Sequence, residues 1–244
     1  MVSPLIFTCS WDDGHPDDLR LAEMLTRHGF AATFFVPSAN SEGRKVMTAA
    51  EIRSLAEAGF EIGAHGADHL RLTRLAPEER RRQMFDDRRR LEDLLGSPIA
   101  GFCYPGGRHD RRTRRLAAEL GFRYARTTQM FRLDAGSDPF AMPTTLQFHA
   151  NGAAGYLRNW LRNRAGLARL RLARRCLAAG PAGGLRYALG QGGVFHLWGH
   201  SWEIDETRRW DSLAALLEEA AEVISPENRL TNREVANSAR SAAA

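Results

Sequence analysis

From the first residues onward, short apolar runs alternate with longer stretches that are apolar on one side only. PLIFTCSW (4–11) is an almost unbroken apolar run and predicts a buried strand. DDLRLAEMLTRHG (17–29) then carries Leu19, Ala22 and Leu25 at helical spacing and stops at Gly29. The alternation repeats. ATFFVP (32–37) predicts a strand, and TAAEIRSLAEAG (48–59) a helix with Thr48 as N-cap and Glu51 three residues on. FEIGAH (60–65) predicts a strand, and PEERRRQMFDDRRRLEDLLG (77–96) a long helix with Pro77 in its first turn. AGFCYPGG (100–107) predicts a strand with a glycine turn, DRRTRRLAAELG (110–121) a helix, and FRYARTT (122–128) a strand. A last apolar run, GVFHLWGH (193–200), predicts another strand.

Apolar strands alternating with helices imply parallel strands covered by helices. Several such units in one chain favour a (β/α) barrel over an open doubly wound sheet, since no GxGxxG follows the first strand. The expectation is one domain over 1–236 and a frayed tail over 237–244. Residues 151–193 break the rhythm. An arginine-rich amphipathic stretch (156–180) leads into GPAGGLRYALGQGG, read as a loop. This region is expected to be a helical insertion before the last strand.

Composition adds exclusions. The chain has 244 residues, 43% hydrophobic and 26% charged, an ordinary globular balance with net charge +5. Lys45 is its single lysine, so the positive charge is almost wholly arginine. Cys9, Cys103 and Cys176 are odd in number and lack CxxC spacing, which argues against a disulfide framework or a zinc ribbon. No window approaches the ~20 apolar residues that span a bilayer. With no signal-peptide pattern ahead of the first motif, a cytoplasmic protein is expected. No nucleic-acid motif is present, and arginine content alone is weak evidence for one.

Four clusters follow predicted strands. Asp12-Asp13-Gly14 sets two carboxylates side by side, which a divalent cation would relieve; acids near a helix start explain the same residues. His65 and His69 stand at i, i+4, a spacing that on a helical turn lets two imidazoles share a metal; two unrelated histidines would look the same. Tyr104-Pro105-Gly106-Gly107 fixes a tight turn whose backbone N–H can face an oxyanion, or is simply a turn. His200 lies between Trp198 and Trp202, as an acid in an aromatic-walled pocket or as a histidine in an aromatic core.

In this order the clusters resemble the polysaccharide deacetylase family, the NodB-homology domain. The motifs are SWDDG (10–14), HGADH (65–69), FCYPGG (102–107) and FHLWGH (195–200). The resemblance runs from about Ile6 to about Trp210 and leaves 151–193 unmatched. It implies a distorted (β/α)₇ barrel and metal-dependent removal of an N-acetyl group from a sugar or glycan precursor. Asp12 would be the base, Asp13, His65 and His69 the ligands of Zn²⁺ (or Co²⁺ or Ni²⁺), Gly106 N–H part of the oxyanion hole, and His200 the acid. Tyr104, Pro105, Arg126, Trp198 and Trp202 would bind substrate. Many members have an arginine where Cys103 stands; Arg126 is a candidate replacement. Asp138 and Glu203 are candidates to support His200, and His149 lies nearby in the sequence. Relatives that open cyclic imides or ureides, some without metal, give an alternative activity; a non-catalytic carbohydrate-binding barrel is a third. The basic stretch 158–175 fits peripheral contact with an anionic membrane or a diphosphate-linked glycan, or a solvated helix packed by its leucines.

Overall fold

The computed structural model describes residues 4–149, 153–162 and 167–241. Eight parallel strands and nine helices alternate among these residues. They run β1 (Leu5–Asp12), α1 (Asp18–His28), β2 (Thr33–Val36), α2 (Ala49–Glu57), β3 (Glu61–Ala64), α3 (Pro77–Leu95), β4 (Gly101–Cys103), α4 (Arg111–Glu119), β5 (Tyr124–Arg126) and β6 (Leu146–Gln147). Then follow α5 (Ala153–Arg162), α6 (Leu167–Leu189), β7 (Gly193–Gly199), α7 (Ser201–Glu206), α8 (Trp210–Val223), β8 (Arg229–Leu230) and α9 (Asn232–Ser241). Seven strands form a curled sheet in the order β5-β4-β3-β2-β1-β7-β6, and β8 pairs with the early part of β1. Between β5 and β6 a parallel bridge joins Arg126 to Met142. This is the distorted (β/α)₇ barrel expected from the motifs.

The strands look uniformly apolar because both of their faces are covered. Along β1, Phe7, Cys9 and Trp11 join the large cluster shared with the helices. The alternate residues Thr8, Ser10 and Asp12 are just as buried, and their partners are other buried polar groups. Thr8 bonds Asn232, Ser10 bonds His196 and Asp12 pairs with Arg126. The period-2 geometry of a strand thus sends one set to the helical layer and one into a largely polar interior.

Helix ends follow the chemistry expected of them. Gly29 closes α1 in the left-handed region at φ 70°. Thr48 and Glu51 form the capping box of α2. Two expectations need correction. The stretch after Gly180 is not a loop: α6 kinks at Ala179 and Gly180, then continues through Pro181 to Leu189. Proline suits a first helical turn, and Leu185 and Ala188 give the new segment a buried face. The tail is also ordered further than expected, since α9 reaches Ser241. Thr231 and Glu234 cap it reciprocally, and Val235 and Ala236 are buried in the barrel's second apolar cluster. Residues 242–244 lie outside the described residues.

Glycine at 63 lets β3 pass close to its neighbours. A Cβ there would fall 2.5 Å from the Phe35 ring and 3.3 Å from the Gly101 carbonyl. Gly63→Ala is expected to cost about 1–3 kcal/mol by overpacking, read as a lower urea midpoint at unchanged slope. A wild-type midpoint would contradict this packing.

Candidate active site

A cleft opens at the C-terminal ends of the strands. Asp12, Asp13, His65, His69, Gly106, Trp198, His200 and Trp202 line it, with Glu42, Arg44, Thr128, Gln147 and Glu203 among the other wall residues. The four sequence clusters therefore meet in one place.

Asp13 sits just past β1 with φ 78°, in the left-handed region that disfavours side chains. His69 is similar, at φ 53°. Residues held this way cost about 1–3 kcal/mol each and tend to mark functional sites. The strain aims both side chains at one point. Asp13 Oδ1 lies 3.6 Å from His65 Nε2 and 3.2 Å from His69 Nε2. That oxygen is buried and accepts no hydrogen bond. The other oxygen, Oδ2, accepts from the Trp202 indole N–H at 2.9 Å. The two imidazoles do not converge through a helical turn, as the i, i+4 spacing suggested. Residues 65–69 form a non-helical loop, with Gly66 at φ 87°.

The loop is pinned from below by α3. Asp87 accepts from the His65 and Gly66 N–H groups at 2.8 Å each and from the Ser38 hydroxyl at 2.7 Å. Four residues earlier on the helix, the Gln83 carbonyl accepts from the Ala67 N–H at 2.8 Å. His65 Nδ1 donates to the Cys103 carbonyl at 2.8 Å, which turns Nε2 toward Asp13. Burial opposes a charge on this ring, but its contacts with Cys103 and Asp13 more than offset it and raise its pKa well above the ordinary value. Burial, with the neighbouring His65 adding to it, pushes His69 down to about 4, so this ring is neutral near pH 7. Burial alone would raise the Asp13 carboxyl, but its contact with His65 and the surrounding imidazoles hold it well below the usual carboxylate range. One anionic oxygen and two imidazole nitrogens, buried together, form a donor set suited to a divalent cation, which would take the place of the His65 proton.

A second set, Asp12, His65 and Cys103, is also close enough to hold a cation. It is poorly suited to one. Asp12 Oδ1 already pairs with the Arg126 guanidinium, and both side chains are buried. Burial pushes the Cys103 thiol up, away from the thiolate a metal needs. Burial would raise Asp12 as well, yet Arg126, followed by His65 and His200, holds it below its ordinary value.

His200 caps the start of α7, and the first turn brings Glu203 beneath it. His200 Nδ1 donates to Glu203 Oε2 at 2.8 Å. Burial opposes a charge on His200, but Glu203 and the two aspartates more than offset it and raise its pKa. His149 stands 3.2 Å from the other Glu203 oxygen. Asp138 is elsewhere, capping a short turn and pairing with Arg114 at 2.5 Å. His196 lies inside the barrel. Its Nδ1 donates to the Pro143 carbonyl, the Ser10 hydroxyl lies 2.9 Å from its Nε2, and burial pushes it down to about 3.

Three residues expected to bind substrate do not line the cleft. Tyr104 is buried and its hydroxyl donates to the Phe140 carbonyl at 3.0 Å. Pro105 is buried against Gly66. Arg126 is fully buried behind Asp12, with Phe35 and Trp198 rings over its guanidinium. Conversely, Glu42 and Arg44 escaped the sequence reading. They sit on a patternless loop held to residues 67 and 68 by two backbone bonds. Arg44 lies over the Trp202 ring, 3.3 Å from its centre.

Residues 6–125 match the family model for polysaccharide deacetylase. This segment, just under half of the chain, belongs to the polysaccharide deacetylase family. The matched segment carries Asp12, Asp13, His65, His69 and the 102–107 turn; His200 lies beyond it. Over 121 residues the chain is 26% identical to a Bacillus subtilis (strain 168) protein, YxkH, named as a candidate polysaccharide deacetylase. That alignment spans 49% of this chain and 43% of the relative, so the chain matches less than half of that protein's length. A Mycobacterium smegmatis structure described in similar terms superposes with a TM-score of 0.65 at 19% identity, covering 100% of this chain and 92% of the other. A Bacillus anthracis family 4 carbohydrate esterase superposes with a TM-score of 0.58 at 14% identity, covering 97% and 66%, and is titled a pseudoenzyme. These likenesses show the deacetylase fold. Activity must be argued from the site.

Removing Arg126 would strand a buried carboxylate. Arg126→Met is expected to cost about 3–5 kcal/mol, and Asp12→Asn in that background to restore part of the loss. Denaturant melts of the two single variants and the double variant measure the coupling. Additive costs would show that the two groups do not stabilise each other.

Proposed function

We propose that the chain is a metal-dependent deacetylase that hydrolyses an N-acetyl amide on a sugar or glycan precursor. The observation that carries this reading is the unbonded, buried Asp13 oxygen facing His65 Nε2 and His69 Nε2. Asp13, His65 and His69 would hold the cation, and the two-nitrogen, one-oxygen donor set favours Zn²⁺, with Co²⁺ or Ni²⁺ also suited. Such a cation, when bound, polarises the amide carbonyl and acidifies a water.

The remaining steps fall to the chain's own groups. Asp12 is anionic because Arg126 holds it so, and it stands in the cleft wall to accept the proton of the attacking water. Arg126 acts through Asp12, fixing its orientation and charge. The Gly106 turn offers backbone N–H to the tetrahedral oxyanion. Glu203 holds Nδ1–H of His200, so Nε2 is the atom that delivers a proton to the departing amine. Trp198 and Trp202 present aromatic surface to a sugar ring. Trp202 also anchors Asp13, tying the substrate wall to the ligand set. A cytoplasmic site of action, on a nucleotide- or lipid-linked precursor, belongs to the same proposal.

The test is acetate release across N-acetyl sugars, nucleotide sugars and lipid-linked glycans, with and without chelator. Release that stops on chelation and returns with Zn²⁺ is the expected result; no release from any acetamide would refute the activity. His200→Ala is expected to slow amide hydrolysis by about 10²–10⁴-fold and to slow an activated acetate ester far less, because that leaving group needs no proton. Equal losses on both substrates would remove His200 from the acid role.

A further inference from the structure

We propose that the exposed sides of α5 and α6, the helical excursion between β6 and β7, are a docking face for an anionic lipid bilayer. Charge along the chain points there first. No Asp or Glu occurs between Asp138 and Glu203, and those 64 residues carry eight arginines. The rest of the chain, with 26 basic and 29 acidic residues, is slightly negative. The positive charge of the protein is therefore the charge of this one segment.

The second observation is what accompanies the arginines. Of five large hydrophobic side chains left exposed among the described residues, three belong to the excursion: Leu157 at 58%, Leu161 at 61% and Leu177 at 49%. Leu157 and Leu161 are one turn apart on α5, beside exposed Arg158. On α6, Leu172 and Cys176 pack inward while Arg171, Arg174, Arg175 and Leu177 face out. A helix packed by all its leucines would not leave these three in water.

Arginines interleaved with outward leucines match the headgroup–acyl boundary of a bilayer, where each kind of side chain finds its own layer. A nucleic acid or an anionic glycan would use the arginines and leave the leucines unpaired. No helix among the described residues is long and apolar enough to cross a membrane, so the contact is one of lying on the surface.

The test is flotation with vesicles of phosphatidylcholine alone and of phosphatidylcholine mixed with phosphatidylglycerol. The protein is expected to float with the mixed vesicles and to be released at about 1 M salt. Two variants, Leu157→Ser with Leu161→Ser, and Arg174→Gln with Arg175→Gln, each carry part of the face. Each is expected to weaken partitioning by about ten-fold or more, with thermal melts confirming that they fold. Absence of flotation, binding indifferent to lipid charge, or variants that float like wild type would overturn the proposal. So would retention on heparin or RNA without vesicle binding. The readout involves no acetate release, so its failure leaves the deacetylase reading intact.

Discussion

A carboxylate oxygen buried between two imidazole nitrogens is the constraint around which the cleft is organised. Asp13 Oδ1 accepts no hydrogen bond, the facing His69 nitrogen offers a lone pair because burial lowers its pKa, and His65 is pushed the other way by the negative charge around it. A carboxylate oxygen buried without a hydrogen bond is costly. The chain accepts further cost to keep these groups there, since Asp13 and His69 both sit at positive φ. What holds the arrangement is a set of donors and acceptors one layer out. Asp87 and Gln83 grip the 65–69 loop, Cys103 orients His65, and Trp202 takes the second Asp13 oxygen.

Two adjacent aspartates acquire different roles because their partners differ. Asp12 continues the inward-facing series of β1 and meets a guanidinium inside the barrel. Asp13, one residue later and past the strand, turns into the cleft and meets imidazoles and an indole. The same separation of neighbouring carboxylates by environment underlies many acid–base sites. His200 gains its charge from a third environment, the Glu203 carboxylate one helical turn away.

Much of this was legible in the order of residues. The strand–helix alternation predicts the barrel because each apolar run is short and each helix carries its own cap or stop. Asp13, His65, His69 and His200 are recognisable because each follows a strand, and Glu203 because i, i+3 spacing sets it under His200. Other features leave no local trace. Asp87 reads as one more charge on a long polar helix, and its inward aim depends on where α3 packs. Arg126 is readable both as a substrate contact and as a replacement for the arginine missing at 103; strand alternation and the curl of the sheet bury it behind Asp12, which fits the second. Thr8, Ser10 and Thr33 read as ordinary strand residues until closure of the barrel supplies partners. The helix after Gly180 was hidden by a glycine-rich composition whose breaker effect is confined to one kink.

The fold alone does not decide whether this chain is active. The decision rests on which atoms hold a cation. Zinc K-edge X-ray absorption on chelator-stripped protein reloaded with Zn²⁺ addresses this most directly. The account predicts a shell of nitrogen and oxygen neighbours only, at about 2.0–2.2 Å, with imidazole scattering that diminishes in His69→Ala. A sulfur neighbour at about 2.3 Å would move the cation to Cys103, Asp12 and His65, and that result, or failure to retain zinc at all, would contradict it.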